Sequence, residues 1–180
     1  MKKVLILTGS IRKEGNSKKL AEAFAKGAKE TGKEVELIDC ARLNVGACMV
    51  CNQCFKNGDA CIQKDDFSQV ASKIEQADCI VFATPIYWFS FSAKLKAVID
   101  KFYSFYVAKK DISGKKVVLL ACGEATEAVT GDGIITTYHL IADYLKWKNM
   151  GEVCALGYGE AGAITGALEL EQAEKLGKMV

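Results

Sequence analysis

The feature that most constrains the fold of this chain is an alternation of short apolar runs with helical patterns. Five runs are apolar and mostly β-branched, which is typical of strands buried in a parallel sheet. A helical pattern follows each of them. This βαβαβ rhythm predicts an α/β domain with a doubly wound parallel sheet and right-handed crossovers. The predicted strands are residues 4–7, 35–38, 79–83, 117–121 and 153–156.

Apolar residues three and four positions apart carry the helical patterns. After the first strand, Leu20, Phe24 and Ala28 follow Asn16 and Ser17, which we expect to cap that helix. Three other patterns and a weaker closing one complete the alternation. They contain Val70 and Ile74 after the expected capping pair Asp65 and Asp66; Phe91, Leu95, Val98 and Phe102; Ile134, Tyr138, Ile141 and Leu145; and Leu170, Ala173, Leu176 and Met179.

Length and composition favour one folded domain over residues 1–180, without linker or repeat. Half of the residues are hydrophobic and 26% are charged, which is typical of a globular protein. A net charge of +2 gives no reason to expect nucleic acid as a partner. No stretch approaches the roughly 20 apolar residues of a membrane helix, so we expect no membrane partner. Eight cysteines without a secretion signal indicate a cytoplasmic protein, with thiols as ligands or free groups rather than disulfides.

A run of four cysteines lies in the one long irregular segment, at about residues 41–64. Cys48, Cys51 and Cys54 follow one another at x2 spacing, and Cys61 comes six residues later. Thiolates are soft ligands that suit iron–sulfur clusters or zinc. The run therefore predicts a metal centre of one of these kinds, with free thiols as the alternative.

The loop after the first strand, residues 8–18, combines hydroxyl, guanidinium and amide groups with the start of a helix. Ser10, Arg12 and Ser17 can donate hydrogen bonds to an anion there, and the helix dipole favours the same charge. The loop has neither a Gly-x-Gly-x-x-Gly nor a Walker pattern, so a dinucleotide or ATP is less favoured. The pattern thus predicts a phosphate site, with a plain polar turn as the alternative.

Two further loops follow the third and fourth strands. Residues 84–90 contain Pro85, which fixes a turn, and the adjacent aromatics Tyr87 and Trp88. These aromatics suit a planar, apolar ring system, although covering the core or an interface is equally compatible with them. Gly123, after the fourth strand, permits close backbone approach.

Together these loops resemble those of the NADPH-dependent FMN reductase family of flavodoxin-like proteins, most closely its iron–sulfur flavoprotein branch. The resemblance implies a flavodoxin-like three-layer sandwich with a five-stranded parallel sheet in the order 2-1-3-4-5. The motifs that carry it are Gly9-Ser10-Ile11-Arg12 with Gly15-Asn16-Ser17, then Thr84-Pro85-Ile86-Tyr87-Trp88, then Lys96 and Asp100-Lys101.

The resemblance also implies two cofactors, FMN and a [4Fe–4S] cluster. The FMN phosphate would be held by Ser10, Arg12, Asn16, Ser17 and Lys18. The isoalloxazine ring would lie against Pro85, Ile86, Tyr87, Trp88 and Gly123. The cluster would be bound by Cys48, Cys51, Cys54 and Cys61.

The implied activity is that of an FMN-dependent oxidoreductase, which passes electrons from a reduced donor to a small-molecule acceptor. The donor is NAD(P)H or a ferredoxin-like protein. Because the flavin itself performs the redox chemistry, no catalytic side chain is expected. The alternatives are a cluster-free NAD(P)H-dependent FMN or quinone reductase and a non-enzymatic electron carrier or redox sensor.

A surplus of aromatic residues at positions 87–91 and 102–106 bears on assembly. One helix face can bury only part of them, and aromatic residues are enriched in interface cores. We therefore expect a homodimer or homotetramer with the flavin sites near subunit contacts.

Overall fold

A computed structural model describes residues 2–180. Five parallel strands form its central sheet: β1 (Lys3–Thr8), β2 (Glu34–Asp39), β3 (Cys79–Pro85), β4 (Lys116–Cys122) and β5 (Lys148–Ala155). Their order across the sheet is β2-β1-β3-β4-β5, which confirms the predicted flavodoxin-like topology. In register, Val4 of β1 lies between Val35 of β2 and Cys79 of β3.

Helices cover both faces of the sheet and give three layers. Side chains of alternate strand residues point to opposite faces. Val4 and Ile6 pack towards α1 (Asn16–Glu30) and α6 (Leu168–Met179), whereas Leu5 belongs to the cluster on the other face. That second face is covered by α2 (Phe67–Gln76), α3 (Ala93–Asp100), α4 (Tyr103–Val107) and α5 (Val129–Tyr144).

Two predicted boundaries differ from the structure. β5 begins five residues before the predicted start at 153, because an edge strand has one neighbour and tolerates exposed polar residues such as Lys148 and Asn149. The apolar run at residues 153–156 indicated only the buried, carboxyl-terminal part of β5. The helical pattern of residues 91–102 is broken at Lys101, which follows α3 and precedes α4.

The prediction that Asn16 and Ser17 cap the first helix is wrong. Gly15 is the N-cap, and Asn16 is the first residue of α1. The Asn16 side chain is occupied elsewhere, by hydrogen bonds to the backbone of residues 158–164. At α2 the N-cap is Asp66, but it is the carboxylate of Asp65 that accepts from the Phe67 N–H, at 3.1 Å.

Candidate functional site

The three predicted site loops lie side by side at the carboxyl-terminal end of the sheet. Because the strands are parallel, all of their carboxyl ends lie on this side. Gly9 N–H donates to the carbonyl of Ala83 at 2.8 Å, which joins the loop after β1 to the end of β3. Ile86 N–H donates to the carbonyl of Cys122, also at 2.8 Å, which joins the loops after β3 and β4.

The N-terminus of α1 carries the features of an anion site. Within residues 2–180, the backbone N–H groups of Asn16 and Ser17 have no hydrogen-bond acceptor. Two buried serines lie beside these free donors: Ser17 is in the first turn of α1, and the Ser10 hydroxyl lies against the N-cap Gly15. A Cβ on Gly15 would overlap the Ser10 hydroxyl oxygen, so a side chain there would displace this hydroxyl. Unpaired helix N–H groups and the helix dipole both favour a negative charge here.

The other predicted phosphate ligands have different surroundings. Asn16 Nδ2 donates to the carbonyls of Tyr158 and Glu160 at 3.0 and 2.8 Å, and Asn16 Oδ1 accepts from Ile164 N–H at 3.3 Å. The Asn16 side chain therefore fixes a neighbouring loop. The exposed Arg12 donates through Nη1 to the carbonyl of Gly159 at 2.7 Å, which leaves its other guanidinium donors unused.

Sequence reasoning missed the segment that Arg12 and Asn16 contact, residues 156–167. It follows β5 and lies at the same carboxyl-terminal end of the sheet. Its signal in the sequence is the glycine content, a mark of turns and loops. The glycines are Gly157, Gly159, Gly162 and Gly166. The half-buried Lys18, also predicted to bind phosphate, lies in the first turn of α1.

The aromatic residues after β3 form a tight turn. Tyr87 N–H donates to Ser90 O at 3.0 Å, and Ser90 N–H donates back to Tyr87 O at 3.1 Å. Between them, Trp88 and Phe89 have φ angles of 48° and 64°, a left-handed conformation that is strained for bulky residues. Trp88 is 93% exposed, so it projects into solvent beside the site, while Tyr87 is about half exposed.

Close packing against α5 holds this turn in place. A Cβ on Gly133 would lie 2.6 Å from the carbonyl oxygen of Phe89, so the helix and the turn touch through their backbones. The contact with α5 therefore holds the turn in its strained conformation beside the candidate site, since a strained backbone persists only where the surrounding structure fixes it.

Gly123 brings the loop after β4 against its neighbours. Its N–H donates to Ala155 O at 2.8 Å, and its carbonyl accepts from Tyr158 N–H at 3.0 Å. A Cβ there would lie 3.4 Å from Ile86 Cδ1 and 3.3 Å from the Leu156 side chain. The half-buried Pro85, at the end of β3, and Ile86, which packs against the buried Gly123, form an apolar surface next to Tyr87.

The cysteine loop is the irregular segment between a 3-10 helix (Cys40–Arg42) and α2. Cys51 is exposed, and Cys48, Cys54 and Cys61 are half-buried. Burial raises the pKa of the Cys54 thiol, and the nearby thiols of Cys61 and Cys51 raise it further. Within residues 2–180, however, no three His, Cys, Asp or Glu side chains are arranged to hold a metal ion. The donor chemistry fits an iron–sulfur group, although these thiols do not form a closed site.

The loop lies along the helices of one face. Tyr103 Oη donates to Asn52 Oδ1 at 3.0 Å, and the Phe55 ring lies 6.1 Å from that of Phe105. Val50 has a φ of 51°, a genuine outlier for a β-branched residue, and Asn52 and Phe55 are also left-handed. The backbone therefore turns sharply several times between Cys48 and Cys61.

Three of the four cysteines outside the run are core residues, whereas Cys154 is half-buried. Cys40, Cys79 and Cys122 are all buried. Burial raises the pKa of each thiol to about 12. They therefore remain neutral at physiological pH.

This sheet order, with free backbone N–H groups at the head of the first helix and apolar residues beside them, is typical of flavodoxin-like flavin proteins. The model of the NADPH-dependent FMN reductase family matches residues 2–158. The chain belongs to that family and is an FMN-dependent oxidoreductase.

Known relatives agree with this assignment. An iron–sulfur flavoprotein of Archaeoglobus fulgidus is 29% identical over 182 aligned residues, which cover the whole chain and 79% of the relative. A second iron–sulfur flavoprotein of that organism is 30% identical over 161 residues, 89% of this chain and 78% of the relative. The structure of an azoreductase from Bacillus anthracis superposes over the whole of both chains with a TM-score of 0.78 at 19% identity, which supports the fold. No helix within residues 2–180 is long and apolar enough to span a membrane.

Proposed function

We propose that this protein passes electrons from a reduced donor, NAD(P)H or a ferredoxin-like protein, to a small-molecule acceptor through FMN at the carboxyl edge of the sheet. We further propose that the cysteine loop carries a [4Fe–4S] cluster. The observation that carries the FMN site is the pair of free N–H groups at Asn16 and Ser17 beside two buried hydroxyls. When bound, FMN would supply hydride and single-electron chemistry, and the cluster would supply single-electron chemistry.

In the proposed phosphate site, the side chains of Ser10, Ser17 and Arg12 donate to the phosphate, and Lys18 adds a positive charge. Asn16 contributes its backbone N–H, since its side chain already holds the loop after β5. One anion site of this size suits a mononucleotide, and it supports FMN over a dinucleotide.

In the proposed ring site, Pro85, Ile86 and Gly123 supply an apolar surface and Tyr87 a flanking aromatic side chain. Trp88 stands at the outer edge of this surface, on the strained turn. We assign to it the role of an outer wall for the ring system. No side chain is required as a general acid or base, because the chain binds and orients the flavin.

For the cluster, two observations point in different directions. Cys48, Cys51, Cys54 and Cys61 share one curled loop, and the two relatives cited above are named iron–sulfur flavoproteins. The thiols of the described chain, however, do not converge on a metal position. The second observation favours a second candidate function, that of a cluster-free NAD(P)H-dependent FMN or quinone reductase.

The proposed working unit is a homodimer or homotetramer. Some of the aromatic residues that led us to expect an oligomer lie in the core, since Phe91, Phe102 and Phe105 are buried. Exposed aromatics remain at the tight turn and, as Tyr106 and Tyr144, on the face formed by α4 and α5. Light scattering of the FMN-loaded protein tests this assembly, and a monomer with full flavin content and activity would refute it.

One preparation distinguishes the two functions. Protein purified without oxygen should be brown, with about four iron and four sulfide per FMN. Cys51→Ala should lose the iron, keep its FMN and lose electron uptake from a one-electron donor, whereas Cys154→Ala, outside the run, should keep all three. Yellow protein without iron would support the cluster-free reductase. Protein that binds no flavin would overturn both.

A further inference from the structure

Lys101 is a buried lysine whose side-chain hydrogen-bond partners all belong to the cysteine loop or its end. Its side chain is 2% exposed, and it follows α3 directly. The ammonium group forms an ion pair with the carboxylate of Asp65, which is itself 7% exposed. It also donates to Gln63 Oε1 at 2.8 Å and lies 3.5 Å from the sulfur of Cys61.

The two oxygen partners of this ammonium group connect both ends of the loop. Asp65 Oδ2 accepts from Gly46 N–H at 3.0 Å, and Asp65 Oδ1 accepts from Phe67 N–H at 3.1 Å. Gln63 Nε2 donates to the carbonyl of Ala47 at 3.1 Å. These hydrogen bonds connect the residues just before the first cysteine of the run to those just after the last one, and the buried ammonium group of Lys101 lies at their centre.

Stability alone is a poor explanation for such a pair. Removing two charges from water is expensive, and apolar residues of similar volume often stabilise a protein as well or better. What a hydrogen-bonded ion pair adds is a defined geometry, because each donor and acceptor must keep its position. Here that geometry determines where the Cys61 sulfur lies relative to the chain that carries the other three thiols.

We propose that Lys101 is a positioning residue of the cysteine loop: its ammonium group closes the base of the loop and places the Cys61 sulfur before any metal group is bound. This inference rests on the proposed function insofar as Cys61 is a cluster ligand. Lys101 itself touches neither the reacting atoms nor the FMN site.

The test compares Lys101→Met, which keeps the apolar stem and removes the charge, with Lys96→Met. Lys96 lies on α3 but is 40% exposed and pairs with Asp100 at the surface, so it is a matched control. A double variant, Asp65→Asn with Lys101→Met, removes both charges and avoids a buried carboxylate without a partner. Each is made as the FMN-loaded, iron-free protein and then reconstituted with iron and sulfide.

Amide hydrogen exchange in the iron-free state is the first readout. In Lys101→Met the N–H groups of Gly46 and Phe67 should exchange at least tenfold faster, while the amides of β1 and β3 keep their protection. Lys96→Met should match the wild type. Unchanged exchange at Gly46 and Phe67 in Lys101→Met would overturn the proposal. So would loss of sheet protection in both Lys101 variants, because Lys101 would then support the whole fold.

Iron and sulfide per FMN form the second readout. Both Lys101 variants should take up less than half of the wild-type amount and retain FMN, because the contact to Cys61 is lost in each. A double variant that regains full iron content would overturn the positioning role. If the wild type itself takes up no iron, the proposed cluster is wrong, whereas the exchange measurement still decides the role of Lys101.

Discussion

The side-chain hydroxyl of Ser92 donates a 2.9 Å hydrogen bond to the carbonyl oxygen of Gly9, although 83 positions separate them in sequence. Ser92 is buried at the start of α3, and its N–H is bonded in turn to the hydroxyl of Thr84. A Cβ on Gly9 would overlap the Ser92 hydroxyl, so this hydrogen bond leaves no room for a side chain at position 9. This contact sets the proposed phosphate loop relative to the proposed ring loop.

The first prediction concerns that hydrogen bond. Ser92→Ala leaves the Gly9 carbonyl without its side-chain donor, so the free energy of unfolding should fall by about 1–3 kcal/mol. FMN should also bind more weakly, because both loops lose their fixed separation. Urea unfolding and FMN titration measure the two effects. Ser72→Ala, on the exposed face of α2, is the control and should change stability by less than about 0.5 kcal/mol. Equal behaviour of the two variants would contradict the prediction.

The second prediction separates the roles of two adjacent residues. Ser17→Ala removes a buried hydroxyl proposed to bind phosphate, so FMN affinity should fall at least about tenfold while the FMN-free protein keeps its stability. Asn16→Ala removes three hydrogen bonds to the loop after β5 and should lower the stability of the FMN-free protein by about 2 kcal/mol or more. Unfolding with and without FMN distinguishes them. A Ser17→Ala variant with unchanged FMN affinity would argue against the phosphate assignment.

The sequence predicts the sheet well where strands are buried on both faces. β3 and β4 are almost continuous apolar runs, and their predicted bounds lie within one or two residues of the observed ones. β5 is an edge strand whose exposed half contains Lys148 and Asn149, so hydrophobicity cannot reveal where it begins. The hydrophobic pattern thus locates the inner strands of the sheet but not the start of its edge strand β5.

The candidate site shows a similar contrast. Features formed by neighbouring residues could be predicted from the sequence, whereas contacts between distant residues could not. The polar loop that leads into α1 was predictable, because its hydroxyls, glycines and helix start are neighbours in sequence; that it binds an anion stays a prediction. The side chain of Asn16 looked like a helix cap and instead bonds residues more than 140 positions away. Lys101 lies 40 positions beyond Cys61, so the spacing of the cysteines could not indicate it. Contacts of this kind depend on tertiary structure and leave no local signal.

The third prediction concerns the strained turn, which no Asn-Gly signal announced. Trp88→Asn should raise the free energy of unfolding of the FMN-free protein by about 0.5–1 kcal/mol, because asparagine adopts a left-handed conformation more readily and Trp88 is 93% exposed. FMN should bind more weakly, because the proposed outer wall is lost. The control Trp88→Phe keeps both the backbone penalty and an aromatic ring. Destabilisation of FMN-free Trp88→Asn by more than about 1 kcal/mol would show that Trp88 packs within the fold.

The fourth prediction is a loss of stability at alkaline pH caused by the buried thiols. Burial raises the pKa of Cys79 to about 12, from an ordinary value of 9.0. Between these values the unfolded chain has released the proton that the folded chain still holds, so the unfolded state binds fewer protons. The free energy of unfolding is therefore fully retained below about pH 9 and falls as pH rises towards 12.

Each thiol of this kind should reduce the free energy of unfolding by about 1.4 kcal/mol at pH 10 relative to pH 7. Cys79→Ala should flatten the pH dependence by that amount, measured by urea unfolding between pH 7 and 10. Val81→Ala, in the same buried strand, is the matched control. It should lower stability equally at every pH, because it creates a cavity without removing a titrating group. If Cys79→Ala and Val81→Ala show the same pH slope as the wild type, ionisation of the Cys79 thiol does not contribute to alkaline unfolding.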